Sequence, residues 1–366
     1  MRRALALLAG VALLGSACAP RQHRTPAPAA GGTRITARLV AGNLNFPAAF
    51  AFAPNGRIFY GEKTTGRIQV LDPKTGRHHG FFQVANVSGS GEQGLLGIAV
   101  PRGFPHRTPF LYAYATRHAG GAVRNQILRI KASNGKGVAA SVIFTSSTTP
   151  ASNHNGGHIA FGPDGMLYTV VGEAGNAANA QNLSVTGGKI LRMTPSGQPA
   201  PGNHFGTLVD VYGVRNSFGF AFDPSSGRLW ETENGPECND ELNRIVAGRN
   251  YGWGPHETCS GRAPRNTNQD GPSPMLPLRW FTSPIAPTGM AFCRRCGLGE
   301  SSNGTFFFGA YNTGDIHRVR LTKDRLGIRA QTVVYHHGSG ILSIQAAPNG
   351  HLFFSDGSGI YRLVFG

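Results

Sequence analysis

The sequence is poor in charge, and poorest in acid. Charged residues make up 14% of its 366 positions, with 18 Asp and Glu against 35 Lys and Arg, a net charge of +17. The basic residues are scattered, with no RNA-binding motif and no basic helix, which argues against a nucleic-acid partner. The surplus instead suits a solvated basic surface drawn to anionic envelope polymers or lipid head groups. No long amphipathic helical pattern appears. After residue 14 no run is long and apolar enough to cross a membrane. Glycine and proline are abundant, at 52 and 24, and they punctuate short strands joined by turns.

The N-terminus stands apart from this pattern. Arg2 and Arg3 head the apolar run Ala4–Leu14, and small residues lead to Cys18. Residues 1–18 therefore read as an export signal and are set aside from the fold. Gly15-Ser16-Ala17-Cys18 resembles a bacterial lipobox, in which Cys18 would be acylated, although Leu14 sits one place too early. A cell-envelope lipoprotein is the expectation, with a freely secreted or periplasmic product as the alternative. Residues 19–33, rich in Pro, Ala and Gly, read as a flexible linker that would hold residues 34–366 off a membrane face. Membrane contact is expected only through that N-terminal lipid anchor.

Cys238, Cys259, Cys293 and Cys296 remain. An even count in an exported chain predicts two disulfides, with Cys238–Cys259 and Cys293–Cys296 the favoured pairing of three. "CRRC" as half of a zinc site lacks a second CxxC. As a redox pair it lacks a surrounding βαβ pattern.

The chain repeats one phrase six times. "FAFAPNGRIFYGE" from Phe50 returns in altered form from Gly97, Ile159, Phe220, Gly289 and Ile344. Each copy is a small apolar strand, a Pro- or Gly-bearing turn and an aromatic-rich strand. Most continue into a further strand such as "GRIQVLD" or "GKILRMTP". Six repeats, each worth about four short strands, predict an all-β fold, a six-bladed β-propeller. A lone blade cannot bury both of its faces, whereas a closed ring buries each face on a neighbour and hides the edges. The strand-like Thr33–Leu44 is expected to pair into the last blade and latch the ring. Propeller sites lie at the end of the central channel, which places His154, just before a blade's innermost strand, near its mouth.

Four stretches carry a resemblance over most of the chain, from about Leu39 onward. They are "GEQGLLGIAVPRGF" (Gly91 to Phe104), "NHNGGHIAFGPDGMLYTVVGEAGN" (Asn153 to Asn176), the segment Tyr212 to Gly254 with RN, GP, DELN and NYGW in order, and "SPIAPTGMAF" (Ser283 to Phe292). They resemble the soluble quinoprotein glucose and aldose-sugar dehydrogenases, the glucose/sorbosone dehydrogenase family. The resemblance implies a sugar substrate, pyrroloquinoline quinone (PQQ) and Ca2+ as cofactors, and an external electron acceptor. It implies that His154 is the general base, taking the proton of the anomeric hydroxyl while hydride goes to the quinone; histidine suits this because its pKa lies near working pH. His158, where many relatives carry arginine, is expected to be structural. Arg215 and Asn216 match the pair facing the quinone, with Asn234 beside them; a guanidinium there would stabilise charge growing on the quinone oxygen. The backbone carbonyls of Gly235 and Pro236 match a calcium-binding turn, and Asp240, Glu241 and Tyr251 a second acidic site. Glu92 and Asn153 stand where relatives contact sugar hydroxyls.

The resemblance also marks a loss. Relatives meet the three carboxylates of PQQ with a lysine and two arginines; the matching positions here are Asn312, Gly340 and Leu342. Each charged hydrogen bond is worth roughly 1.5–3 kcal/mol, so the change is large. His336, His337 and Arg318 lie close in sequence as partial substitutes. Three functions therefore remain open: a quinone-dependent sugar dehydrogenase with a reworked clamp, a non-catalytic calcium-stabilised propeller that binds a ligand or protein, and a calcium-dependent hydrolase of lactonase type.

Overall fold

The computed structural model describes residues 34–366, so the expected signal and linker, and Cys18, lie outside the described residues. Six four-stranded antiparallel sheets follow one another round a central channel. Their innermost strands are Pro47–Phe52, Leu95–Ala99, Ile159–Phe161, Gly219–Phe222, Pro287–Phe292 and Ser343–Ala346. These begin or overlap the six repeated phrases, and the aromatic-rich segments form the second strand of each blade.

The second strands show why the ring holds. They are apolar on both faces because both faces are covered, and the period of two splits their side chains between neighbours. In Phe306–Ala310, Phe306 and Phe308 pack with Trp230 and Leu242 of the fourth blade, whereas Phe307 packs with Phe354 and Leu363 of the sixth. In Phe110–Ala119, Leu111, Ala113 and Ala115 face the first blade, and Tyr112 and Tyr114 face the third. Six hydrophobic clusters result, one at each junction between blades. Truncating one such Phe to Ala should cost about 3–5 kcal/mol.

The last blade supplies only three strands from the C-terminal repeat. Its fourth, outermost strand is Ile35–Ala41, antiparallel to Ile360–Phe365, with Ile35 opposite Phe365 and Leu39 opposite Tyr361. The expected latch is therefore present. Near the axis the inner strands approach closely: a Cβ on Gly97 would strike the Gly157 carbonyl of the next blade. Glycine is needed there for clearance. Both expected disulfides form, Cys238–Cys259 and Cys293–Cys296.

Candidate active site

His154 lies on the irregular segment that leads into the third blade's inner strand. It holds a left-handed backbone conformation, φ +54°, uncommon for a non-glycine residue. Its backbone is fixed from two sides. The N–H donates to Glu92 Oε2 at 2.6 Å, and the carbonyl accepts from Ala174 N at 3.1 Å. The imidazole is buried, with Nδ1 2.5 Å from Oε1 of Glu173, itself buried. An ionised carboxylate only accepts, so Nδ1 carries the proton and Nε2 keeps its lone pair. Asn153, exposed, reaches that Nε2 with its amide at 3.4 Å.

Glu173 ties this segment to the fourth blade, where its N–H donates to the Arg215 carbonyl at 2.9 Å. Asn216 is buried; its Oδ1 accepts from Gly156 N at 3.1 Å and its Nδ2 donates to Glu92 Oε2 at 3.2 Å. Glu92 thus binds two loops together, and the same oxygen serves both. Arg215 donates through Nη1 to the Asn234 carbonyl at 3.0 Å and stacks over Trp253, 5.1 Å from the ring centre. Burial lowers the pKa of its guanidinium, and the charges of Glu173, Glu233, Glu92 and Asp240 oppose that. The Arg215 Nε is buried without a partner among the described residues. The Asn234 amide donates to the Pro287 carbonyl at 2.7 Å.

The Gly235-Pro236 turn is braced by Asp240. One carboxylate oxygen accepts from Gly235 N at 2.8 Å, and the other from Ile285 N at 2.6 Å and Ala286 N at 2.8 Å. No described group donates to the Gly235 or Pro236 carbonyl oxygens. Hard oxygen donors of this kind, in a fixed turn, fit a calcium ion. The side chains of the other three expected metal residues each have partners within the protein. Asp240 is spent on backbone N–H groups. Glu241 accepts from Asn243 at 3.2 Å and Asn268 at 2.5 Å. The Tyr251 hydroxyl donates to the Arg244 carbonyl at 2.7 Å and accepts from Val246 N at 3.0 Å. Among the described residues no three His, Cys, Asp or Glu are grouped to hold a metal. The Cys238–Cys259 bond ties this loop to a residue 21 positions further along the chain.

Beneath these loops the channel encloses a cavity of about 370 Å³, walled by residues of all six blades, among them Lys63, Glu92, Asn234, Tyr311, Asn312 and Leu342. That lies in the size range of small-molecule sites. His154 and Arg215 are not in this wall; they stand behind Glu92 and Asn234. Asn312 turns its amide to the Pro284 carbonyl at 3.2 Å. Gly340 packs under Tyr311, whose ring lies 2.6 Å from where a Cβ would sit, so no longer side chain fits without moving it. The three substitute cations do not reach the cavity. His336 pairs with Asp315 and His337 with Asp356, each at 3.0 Å, and Arg318 donates to Ser301 at 3.0 Å. His158 is half-buried in the cavity wall, edge-on against Phe220, and desolvation pushes its pKa down to about 4.

Known proteins resemble this chain in sequence and fold. Residues 44–362 match the Glucose / Sorbosone dehydrogenase family. The chain belongs to that family. The aldose sugar dehydrogenase of Escherichia coli is 25% identical, over 87% of this chain and 89% of its own. The quinoprotein glucose dehydrogenase B of Acinetobacter calcoaceticus is 29% identical, over 59% of this chain and 52% of its own. The PQQ-bound structure of an aldose sugar dehydrogenase from Streptomyces coelicolor superposes with a TM-score of 0.78 at 31% identity, covering 92% of this chain and 99% of that one. Glu173 lies in the phrase "VVGEAGN", but its pairing with His154 is set by the fold and not by sequence spacing. Lys63 and Tyr311 carry no motif, and only the folded channel brings them together.

Proposed function

We propose that this propeller is an exported, quinoprotein-type sugar dehydrogenase that oxidises an aldose hydroxyl. The observation that carries the reading is the His154–Glu173 pair, buried at 2.5 Å behind Glu92 of the cavity wall and joined through the Glu173 N–H to Arg215. Oxidising the hydroxyl removes a proton from oxygen and a hydride from carbon. Bound PQQ supplies the two-electron acceptor, to be re-oxidised by an external acceptor. His154 Nε2 takes the proton, and Glu173 holds the ring in the tautomer that allows it and stabilises the imidazolium formed. Arg215, cationic and partly desolvated, favours negative charge developing on an oxygen beside it. The Gly235 and Pro236 carbonyls would hold calcium, which would polarise the acceptor. Glu92 and Asn153 lie within the same loops for contact with sugar hydroxyls. A lipid anchor at Cys18 would place this chemistry on the envelope.

A non-catalytic binding propeller is the second reading, favoured by the uncharged Asn312, Gly340 and Leu342. Aldoses offered to the protein preincubated with PQQ and calcium, with a dye as acceptor, decide between the two. Dye reduction that disappears in His154→Gln supports the dehydrogenase. No reduction with any aldose, at saturating PQQ, supports the binding protein.

A further inference from the structure

Lys63 follows the second strand of the first blade (Ile58–Glu62) and enters the cavity wall half-buried. Its Nζ donates to the Gly91 carbonyl at 2.6 Å and lies 5.6 Å from the centre of the Phe46 ring. An ammonium has three donors, so two remain without a described partner. No ion pair joins Glu92 to Lys63 among the described residues, and Glu92 Oε2 accepts from His154 N and Asn216 Nδ2. Burial lowers the Lys63 pKa and the Glu92 charge opposes this.

Two basic residues line the cavity, Lys63 and His158, and His158 is kept neutral by burial. Lys63 is thus the one fixed cation in the wall among the described residues. The fifth and sixth blades present Asn312 and Leu342, and Gly340 is covered by Tyr311. A ligand bearing carboxylates that enters this channel meets a single positive charge in the wall, on the first blade, and must sit clear of the Glu92 carboxylate in the same wall.

We propose that Lys63 is the carboxylate anchor of the channel cavity, holding a cofactor carboxylate from the first blade in place of the charge absent at Asn312, Gly340 and Leu342. This rests on the quinone reading above. Charge-assisted contacts to carboxylates are among the strongest polar ones, which is why one well-placed ammonium matters.

The test is calorimetric titration of the full, calcium-loaded chain with PQQ and, separately, with its uncharged trimethyl ester. Lys63→Gln keeps an amide donor for the Gly91 carbonyl and removes the charge; Lys63→Arg keeps a charge. The expected result is PQQ binding by the wild type, weakened about 10-fold or more in Lys63→Gln, with the ester affected by no more than about threefold and Lys63→Arg closer to wild type than Lys63→Gln. Equal PQQ affinity in wild type and Lys63→Gln would overturn the anchor while leaving the quinone reading intact. Equal losses for PQQ and ester would overturn it too, since they report packing rather than charge. No PQQ binding by the wild type rejects the quinone reading and the anchor with it.

Discussion

His154 Nδ1 and Glu173 Oε1 lie 2.5 Å apart, both side chains buried, in loops that only the folded blade brings together. The carboxylate fixes which ring nitrogen carries the proton. Glu173→Gln can present an amide N–H to Nδ1, which would force the proton onto Nε2 and remove the base. The expected outcome is a kcat lower by about 10²-fold with KM within about threefold. His154→Ala should lose about 10³-fold. Steady-state dye reduction measures both. A Glu173→Gln enzyme with wild-type kcat would make Glu173 a packing residue only.

The ring and its latch were legible because they rest on local pattern. Alternation in "TFFFGA" sends Phe306 and Phe308 one way and Phe307 the other, and the spacing of six such phrases implies closure. The site was legible only in part. His154 and Arg215 sit in recognisable motifs, but Glu173 and Lys63 act through distances set by the fold. A Lys in a turn carries no sign of the cavity it faces, nor a Glu of the histidine it will meet. The acidic pair Asp240-Glu241 read as metal ligands, whereas the structure spends Asp240 on three N–H groups from two blades. Which carboxylate lone pairs are already taken is a tertiary fact.

That brace is itself testable. Asp240→Ala leaves the N–H groups of Gly235, Ile285 and Ala286 without their acceptor. At about 1–3 kcal/mol for each buried unpaired group, a loss of roughly 3 kcal/mol overall is expected, since water reaches part of this turn. Because the Gly235 and Pro236 carbonyls would lose their fixed geometry, calcium affinity should fall as well. Urea denaturation with and without calcium measures both effects. A variant as stable as wild type, with unchanged calcium dependence, would show that the turn holds its shape unaided.

The latch predicts a sharp boundary for N-terminal truncation. A chain starting at residue 34 keeps Ile35–Ala41 paired to Ile360–Phe365 and should match the full chain in stability. A chain starting at residue 43 uncovers that C-terminal strand and part of the cluster formed by Ile35, Leu363 and Phe354. An unpaired edge next to exposed core invites association between chains. The shorter protein should unfold at lower urea and elute as higher oligomers on size exclusion. Equal behaviour of the two truncations would mean that three strands suffice to close the sixth blade.

His158 gives the fold a pH dependence whose sign follows from its burial. Its pKa falls from an ordinary 6.5 to about 4 in the folded protein because the apolar surroundings disfavour the charged ring. Between those values the unfolded chain binds a proton that the folded chain refuses, so stability rises with pH. The contribution is fully present above pH 6.5 and is lost as the pH falls from 6.5 through 4. At 1.36 kcal/mol per pKa unit it amounts to about 3 kcal/mol. His317, buried and lowered to about 4 as well, adds a slope of the same sign, so the wild-type curve alone does not isolate His158. The difference between wild type and His158→Gln does, because glutamine does not titrate. Urea denaturation at several pH values from 4 to 7 should show the variant losing less stability on acidification than the wild type. Parallel curves would mean that water or a proton reaches His158 through the channel, and that the inner end of the cavity is wetter than its aromatic walls imply.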